Sequence, residues 1–177
     1  MKTNVVITGF MGTGKSSVGR LVAERLGLTF VDMDEVIEAR EGVPITELFS
    51  RHGEAGFRAV ESAVARELGM GEGLVIATGG GTMLAPENRA ALGENGLIVC
   101  LTCAADQILR RLDGDTTRPM LAAPDKEKRM NELLAARMPV YTSLPVVVDT
   151  TRRSVAEVAE VVVSAYRGVE CKPSKSV

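Results

Sequence analysis

Gly9-Phe10-Met11-Gly12-Thr13-Gly14-Lys15-Ser16 satisfies the spacing G-x-x-x-x-G-K-[ST] and stands between an apolar run, Val5-Val6-Ile7, and a segment of helical periodicity. Strand, loop and helix in that order form a cradle for phosphate. Glycine at 9, 12 and 14 permits the positive φ that turns successive N–H groups inward, and the following helix presents its positive end to the same anion. Lys15 can then reach the β- and γ-phosphates, and the Ser16 hydroxyl can ligate Mg²⁺. The ligand this calls for is a nucleotide with a transferable or hydrolysable phosphate. A glycine-rich turn followed by a chance Lys-Ser would look similar, but it would not need this order of elements.

Outward from the loop, apolar residues at Val18, Leu21, Val22 and Leu26 predict a helix over 15–26 that stops at Gly27. Thr29-Phe30-Val31 reads as a second strand, followed by Asp32-Met33-Asp34 and an acidic-start helix to about Arg40 that Gly42 and Pro44 stop. Residues 45–68 read as two helical pieces interrupted around Gly53 and Gly56. A third strand over 74–77 runs into Thr78-Gly79-Gly80-Gly81, and Pro86 opens a helix to about Leu92. A fourth strand over 97–101 and a helix over 105–112 lead into a polar, Gly- and Pro-bearing stretch, 113–124, the candidate lid. Helix over 126–138, a short strand over 146–148 and a last amphipathic helix complete the pattern, with 169–177 expected as a disordered tail. Strands alternating with helices, each strand apolar throughout, call for an α/β fold whose parallel sheet is covered on both faces.

At 177 residues the chain fits one domain. A net charge of −2 argues against a general nucleic-acid or membrane-surface binder, which needs a basic excess. No apolar run approaches the roughly 20 residues of a membrane span, and the start leads directly into the first strand without a signal-peptide pattern, so the expected location is the cytoplasm. Cys100, Cys103 and Cys171 make no even disulfide framework and lack the second ligand pair of a zinc site; Cys100 reads as a buried strand thiol. With His52 as the single histidine, a His-based triad is nearly excluded, and any general base must be a carboxylate or Lys.

In an open parallel sheet, ligands collect at the carboxyl ends of the strands. The first three strands end in the phosphate loop, in Asp32-Met33-Asp34 and in Gly79-Gly80-Gly81. In a still-extended backbone Asp32 and Asp34 would face the same side, one near a metal and one near an acceptor hydroxyl that it could orient and deprotonate. A cap and first turn of a helix is the competing account of the pair. The three glycines remove side chains where backbone must approach something closely. Arg58, Arg118 and Arg137 supply forks suited to carboxylate or phosphate, although any one arginine is more often a surface residue.

The ordered set GFMGTGKSSVGR at 9–20, DMD at 32–34, FR at 57–58 with Glu61, TGGG at 78–81, RPML at 118–121, RMPVY at 137–141 and DTTRRS at 149–154 closely resembles the shikimate kinases. The likeness covers nearly the whole chain. It implies a three-layer P-loop NTPase fold resembling the nucleoside monophosphate kinases, with a five-stranded parallel sheet in the order 2-3-1-4-5 flanked by helices. One kinase domain would span 1–168, with a substrate-binding segment at about 32–62 and a lid at about 113–124. It further implies a monomer that transfers the γ-phosphoryl group of MgATP to the 3-hydroxyl of shikimate, on the route to chorismate and aromatic amino acids. By the same resemblance Asp34, Lys15 and Arg118 are catalytic, and Asp34, Arg58, Glu61, Gly79, Gly80, Gly81 and Arg137 bind shikimate. Gly12, Thr13, Gly14, Lys15, Ser16, Ser17, Arg111, Arg118 and Arg153 hold ATP, and Ser16 with Asp32 holds Mg²⁺, Asp32 through water. Ile45, Phe49 and Phe57 would line the apolar side of the acceptor pocket or simply pack the core. Ser17 stands where Thr is common, Met120 where Leu is usual, and Ser154 and Val155 fall where adenine contacts vary; none removes a reactive group.

Gluconate kinase and the nucleoside monophosphate kinases are the nearest competing readings, the latter without the D-G-[FY]-P-R segment they usually carry. A GTP-dependent switch would need N-K-x-D, which is absent. A catalytically silent homologue would have no use for Lys15, Asp32, Asp34, Arg58, Arg118 and Arg137 together.

Overall fold

The computed structural model describes residues 2–112 and 126–170. Strand β1 (Asn4–Gly9) is buried along its whole length, as its apolar run requires when both faces of a sheet are covered. It pairs in parallel with β3 (Leu74–Ala77) on one side and β4 (Gly96–Thr102) on the other. Strand β2 (Thr29–Asp32) adds outside β3, and β5 (Val146–Asp149) outside β4. The resulting order, β2-β3-β1-β4-β5, is the expected one.

Alternation along the central strands sorts their side chains into two cores. Val5, Ile7, Val99 and Leu101 pack on one face against Val18 and Val22 of α1 (Lys15–Leu26) and Val158 and Val162 of α7 (Val155–Glu170). On the other face Val6, Ile76, Ile98 and Cys100 lie under α2 (Met33–Glu41), α3 (Ile45–Met70), α4 (Pro86–Asn95), α5 (Ala105–Leu112) and α6 (Lys126–Thr142). Helix α1 ends at Gly27, left-handed at φ 67, whose N–H donates to the Ala23 carbonyl. The two helical pieces expected over 45–68 are present within α3, joined across a kink where Gly53 leaves helical geometry at φ 65 and ψ −176, while Gly56 remains helical.

Some boundaries differ from the sequence pattern. Between β3 and α4 a 3-10 turn, Thr82–Leu84, forms directly after the three glycines. Helix α4 runs to Asn95, and α7 to Glu170, two residues past the expected end of the domain. The largest difference is α6, which continues through Pro139 to Thr142 instead of stopping at Met138. Proline removes the intrahelical bond to the carbonyl four residues earlier. Burial of Tyr141, only 1% exposed, and of Leu144 just beyond the helix compensates for that loss. The lid expected over 113–124, with Arg118 and Met120, lies outside the described residues, as does 171–177 with Cys171.

Gly9 closes β1 against β4 at φ 139, and a Cβ there would lie 2.2 Å from the Leu101 carbonyl oxygen. Backbone cannot yield as a flexible side chain can. A Gly9→Ala variant is therefore expected to lose about 3 kcal/mol of stability, combining strained φ with overpacking. Gly27→Ala, where nothing lies within 4 Å, should lose only about 1 kcal/mol for its left-handed φ. Urea unfolding of the two variants checks the contrast.

Candidate active site

Because the sheet is parallel, β1, β2 and β3 deliver their carboxyl ends to one edge, beside the point where the chain crosses from β3 over β1 to β4. At the end of β1 the loop glycines take positive φ, 139 at Gly9, 75 at Gly12 and 92 at Gly14. Gly14 is the left-handed cap of α1, so Lys15, Ser16 and the exposed Ser17 form that helix's first turn. The Thr13 hydroxyl donates to the Phe10 carbonyl at 2.7 Å, and Lys15 Nζ donates to the same oxygen at 3.0 Å. The loop thus closes on itself around its own lysine.

Ser16 Oγ donates to Asp32 Oδ2 at 2.8 Å. A hydroxyl and a carboxylate near the positive end of α1 are hard oxygen donors of the kind that would suit Mg²⁺. Among the described residues no group of three or more His, Cys, Asp and Glu could hold a metal ion. Asp32 also acts through its other oxygen, since Oδ1 accepts the Asp34 N–H at 3.1 Å and so caps α2. The expectation of two aspartates on one side of an extended strand is thereby corrected. Asp34 lies in the first turn of α2, because the capping bond turns the backbone helical directly after Asp32. Asp34 nonetheless reaches the glycine loop.

That loop is a floor on which charged groups converge. A Cβ at Gly79 would lie 3.1 Å from Glu61 Oε1 and 3.2 Å from both Asp34 Oδ1 and Thr82 Oγ1. At Gly80 it would lie 3.1 Å from Arg137 Nη1, and at Gly81 it would lie 2.7 Å from both Arg58 terminal nitrogens. A side chain at Gly80 or Gly81 would displace a guanidinium group, and one at Gly79 would crowd Glu61, Asp34 and Thr82.

The two arginines are held differently. Arg58 Nη1 donates to Glu61 Oε2 at 2.7 Å, one turn along α3, while Nη2 lies 3.4 Å from Glu54. Burial alone pulls the Arg58 pKa down, but the hydrogen bond and charge of Glu61, helped by Glu54, more than offset it and the net shift is upward. Glu61 is itself buried, and its second oxygen accepts from the Thr82 hydroxyl at 2.7 Å. Arg137, on α6, is 8% exposed; its Nε finds no hydrogen-bond partner among the described residues, and its guanidinium carbon stands 5.6 Å from the centre of the Phe10 ring. A buried guanidinium with an unspent donor is poised for an anion. One turn later, Tyr141 donates its hydroxyl to the Gly80 carbonyl at 2.6 Å.

On the far side of the phosphate loop a cavity of about 300 Å³ is lined by Gly12, Thr13, Gly14, Arg111, Thr150 and Arg153, among others. Arg111 is braced there, donating to the Gly12 carbonyl at 3.2 Å and the Thr150 carbonyl at 3.0 Å. Ser154 and Glu157 form a reciprocal capping box at the start of α7, which fixes the Arg153 loop.

Of the apolar candidates, Phe57 and Ile45 pack with the core, whereas Phe49, 38% exposed, stacks on Phe57 with ring centres 4.5 Å apart. Cys100 and Cys103 are free and buried; burial pushes the Cys100 thiol up to about 12 against the opposing charge of Lys15, which leaves it protonated. His52 is exposed on α3 beside the Gly53 bend. Sequence reasoning assigned no role to Thr82, Thr150, Phe10 or Tyr141. The capping box S-x-x-E at 154–157 was a readable signal, but the pairing of Thr82 with a residue on another helix was not.

Residues 11–167 match the family model described as shikimate kinase. The shikimate kinase of Geobacter sulfurreducens is 45% identical over 164 residues, covering 93% of this chain and 91% of that protein. Among solved structures, a shikimate kinase from Acinetobacter baumannii in complex with shikimate superposes with a TM-score of 0.90 at 34% identity, covering 96% of each chain. A gluconokinase from Sinorhizobium meliloti reaches a TM-score of 0.62 at 20% identity, covering 95% of this chain and 94% of that one, a likeness of fold alone.

Thr82→Val keeps side-chain volume and removes the donor to a buried carboxylate. A loss of about 2 kcal/mol is expected, the range for hydrogen bonds to charged groups. Urea unfolding with an unchanged m-value measures it.

Proposed function

The chain belongs to the shikimate kinase family, and from that membership we propose how its residues divide the work of transferring the γ-phosphoryl group of MgATP to the 3-hydroxyl of shikimate. The supporting observation is the convergence of Asp34, Arg58 and Arg137 on Gly79 to Gly81 at the sheet edge that also carries the phosphate loop. With Glu61 taken up by Arg58 and Thr82, two guanidinium groups beside the Asp34 carboxylate and bare backbone suit a small polyhydroxy carboxylate. The arginines take the acid, backbone approaches the ring hydroxyls, and Asp34 takes the hydroxyl to be phosphorylated.

In this reading Asp34 orients the acceptor hydroxyl and accepts its proton as the oxygen bonds to phosphorus. Lys15 releases the Phe10 carbonyl to meet charge spreading over the phosphoryl oxygens, and Gly12, Thr13, Gly14 and Ser17 hold the remaining phosphates through backbone and hydroxyl groups. Ser16 directly and Asp32 through water would hold Mg²⁺, which would supply neutralisation of phosphate charge. Arg111 and Arg153 flank adenine in the cavity beyond the loop. Glu61 orients Arg58. Arg118, outside the described residues, keeps by resemblance the role of stabilising the transferred group.

The segment at about 32–62 is then the acceptor-binding element and 113–124 the lid. We read the protein as a monomer of the cytoplasm with no nucleic-acid or membrane partner. The net charge of −2 supports the lack of a nucleic-acid or membrane-surface partner, and the monomer is carried over from the resemblance. Among the described residues no helix is long and apolar enough to cross a membrane.

MgATP-dependent ADP release with shikimate, gluconate and nucleoside monophosphates offered separately tests the assignment. Turnover with shikimate is the expected result, and turnover with another acceptor alone would overturn the clamp by Arg58 and Arg137. Asp34→Asn should abolish transfer while ATP binding, followed by calorimetry, stays nearly intact; loss of both together would remove Asp34 from the acceptor. Arg137→Ala should raise the shikimate KM by about tenfold or more, with the KM for ATP little changed.

A further inference from the structure

Tyr141 takes no part in the assignments above, yet its hydroxyl hydrogen-bonds the glycine loop beside Arg137 of the same helix. The ring is 1% exposed and belongs to the core. A phenylalanine would fill the same space, so what the hydroxyl adds is the 2.6 Å bond to the Gly80 carbonyl and a direct polar contact with the Arg137 guanidinium. Burial pushes the phenol up to about 12, against the opposing pull of Arg137, so Tyr141 remains a donor through the neutral range.

Two consequences of that bond meet at the acceptor pocket. The Gly80–Gly81 peptide is trans, so with the Gly80 carbonyl turned toward α6 the Gly81 N–H points the opposite way. The same helix carries Arg137 one turn before Tyr141, and Arg137 Nη1 lies 3.1 Å from where a Gly80 Cβ would be. One helix thereby grips the loop and presents the arginine beside it. This geometry exists because α6 continues through Pro139; a helix ending at Met138 would not hold Tyr141 in register with Arg137.

Resting on the shikimate reading, we propose that Tyr141 is a positioning residue for acceptor binding: its bond to Gly80 fixes the Gly80–Gly81 peptide and Arg137 relative to each other. Tyr141 touches no reacting atom. Its loss therefore acts on acceptor affinity, through misplacement of the clamp and of the loop N–H groups, and leaves the phosphoryl-transfer groups in place.

The test compares Tyr141→Phe with Tyr166→Phe. Tyr166 donates to the Thr3 carbonyl at 3.1 Å, is also nearly fully buried, and packs on the opposite face of the sheet. Tyr141→Phe should weaken shikimate binding by about tenfold, in KM and in calorimetric Kd, with kcat within about threefold and the KM for ATP unchanged. Tyr166→Phe should leave all four untouched, whatever it does to thermal stability. Unchanged shikimate affinity in Tyr141→Phe, or parallel weakening of shikimate and ATP that follows a fall in Tm, would overturn the proposal while leaving the acceptor assignment standing. A wild-type chain that binds no shikimate would overturn both.

Discussion

The parallel pairing of β1 between β3 and β4 is the constraint from which the rest of the structure follows. Gly9 ends that strand with its backbone against the Leu101 carbonyl, too close for any Cβ. The phosphate loop can therefore begin only where β1 and β4 part. Strands on both sides of β1 point the same way, so their carboxyl ends reach the same edge and set Asp32, the glycine loop and the Thr150–Arg153 turn around it. Two apolar cores, one on each face, hold this edge rigid.

Within that frame the site concentrates charge that is costly to bury unless paired. Glu61 is the clearest case, a buried carboxylate whose two oxygens are taken by Arg58 and Thr82. The result is an Arg58 held in one orientation before any ligand arrives. Arg137 reaches a similar state by another route, through burial beside Phe10 and the glycine loop, with its Nε unpartnered among the described residues. Preorganised donors of this kind lose little freedom when an anion binds, which is how affinity for a small acceptor is gained from few contacts.

Much of this was legible along the chain because the signals are local. The phosphate loop, the apolar strands, the glycine stop after α1 and the proline start of α4 each rest on neighbours a few residues apart. The readings that failed depended on distant partners. Asp32 and Asp34 are the exception, since the capping bond that turns the chain between them is local and was already the competing account. Pro139 looked like a helix end because its lost hydrogen bond is local, whereas the burial of Tyr141 that outweighs it is not. Phe57 could not be told from a pocket residue, since an aromatic facing a core and one facing a cavity share the same spacing.

By itself the sequence determined the phosphate cradle, the alternation that demands a covered parallel sheet, and the identity of the charged groups that would meet a phosphate and an acid. These follow from φ preferences, periodicity and side-chain chemistry, all of which act within a turn or two. Tertiary structure alone decided which of those groups meet. Glu61 found Thr82, Arg137 and Tyr141 found Gly80, and Arg111 found Thr150 only because the order of strands and the packing of α3, α5 and α6 brought together segments far apart in the chain. The energy of such contacts depends on desolvation and angle, neither of which exists until the fold has closed around them.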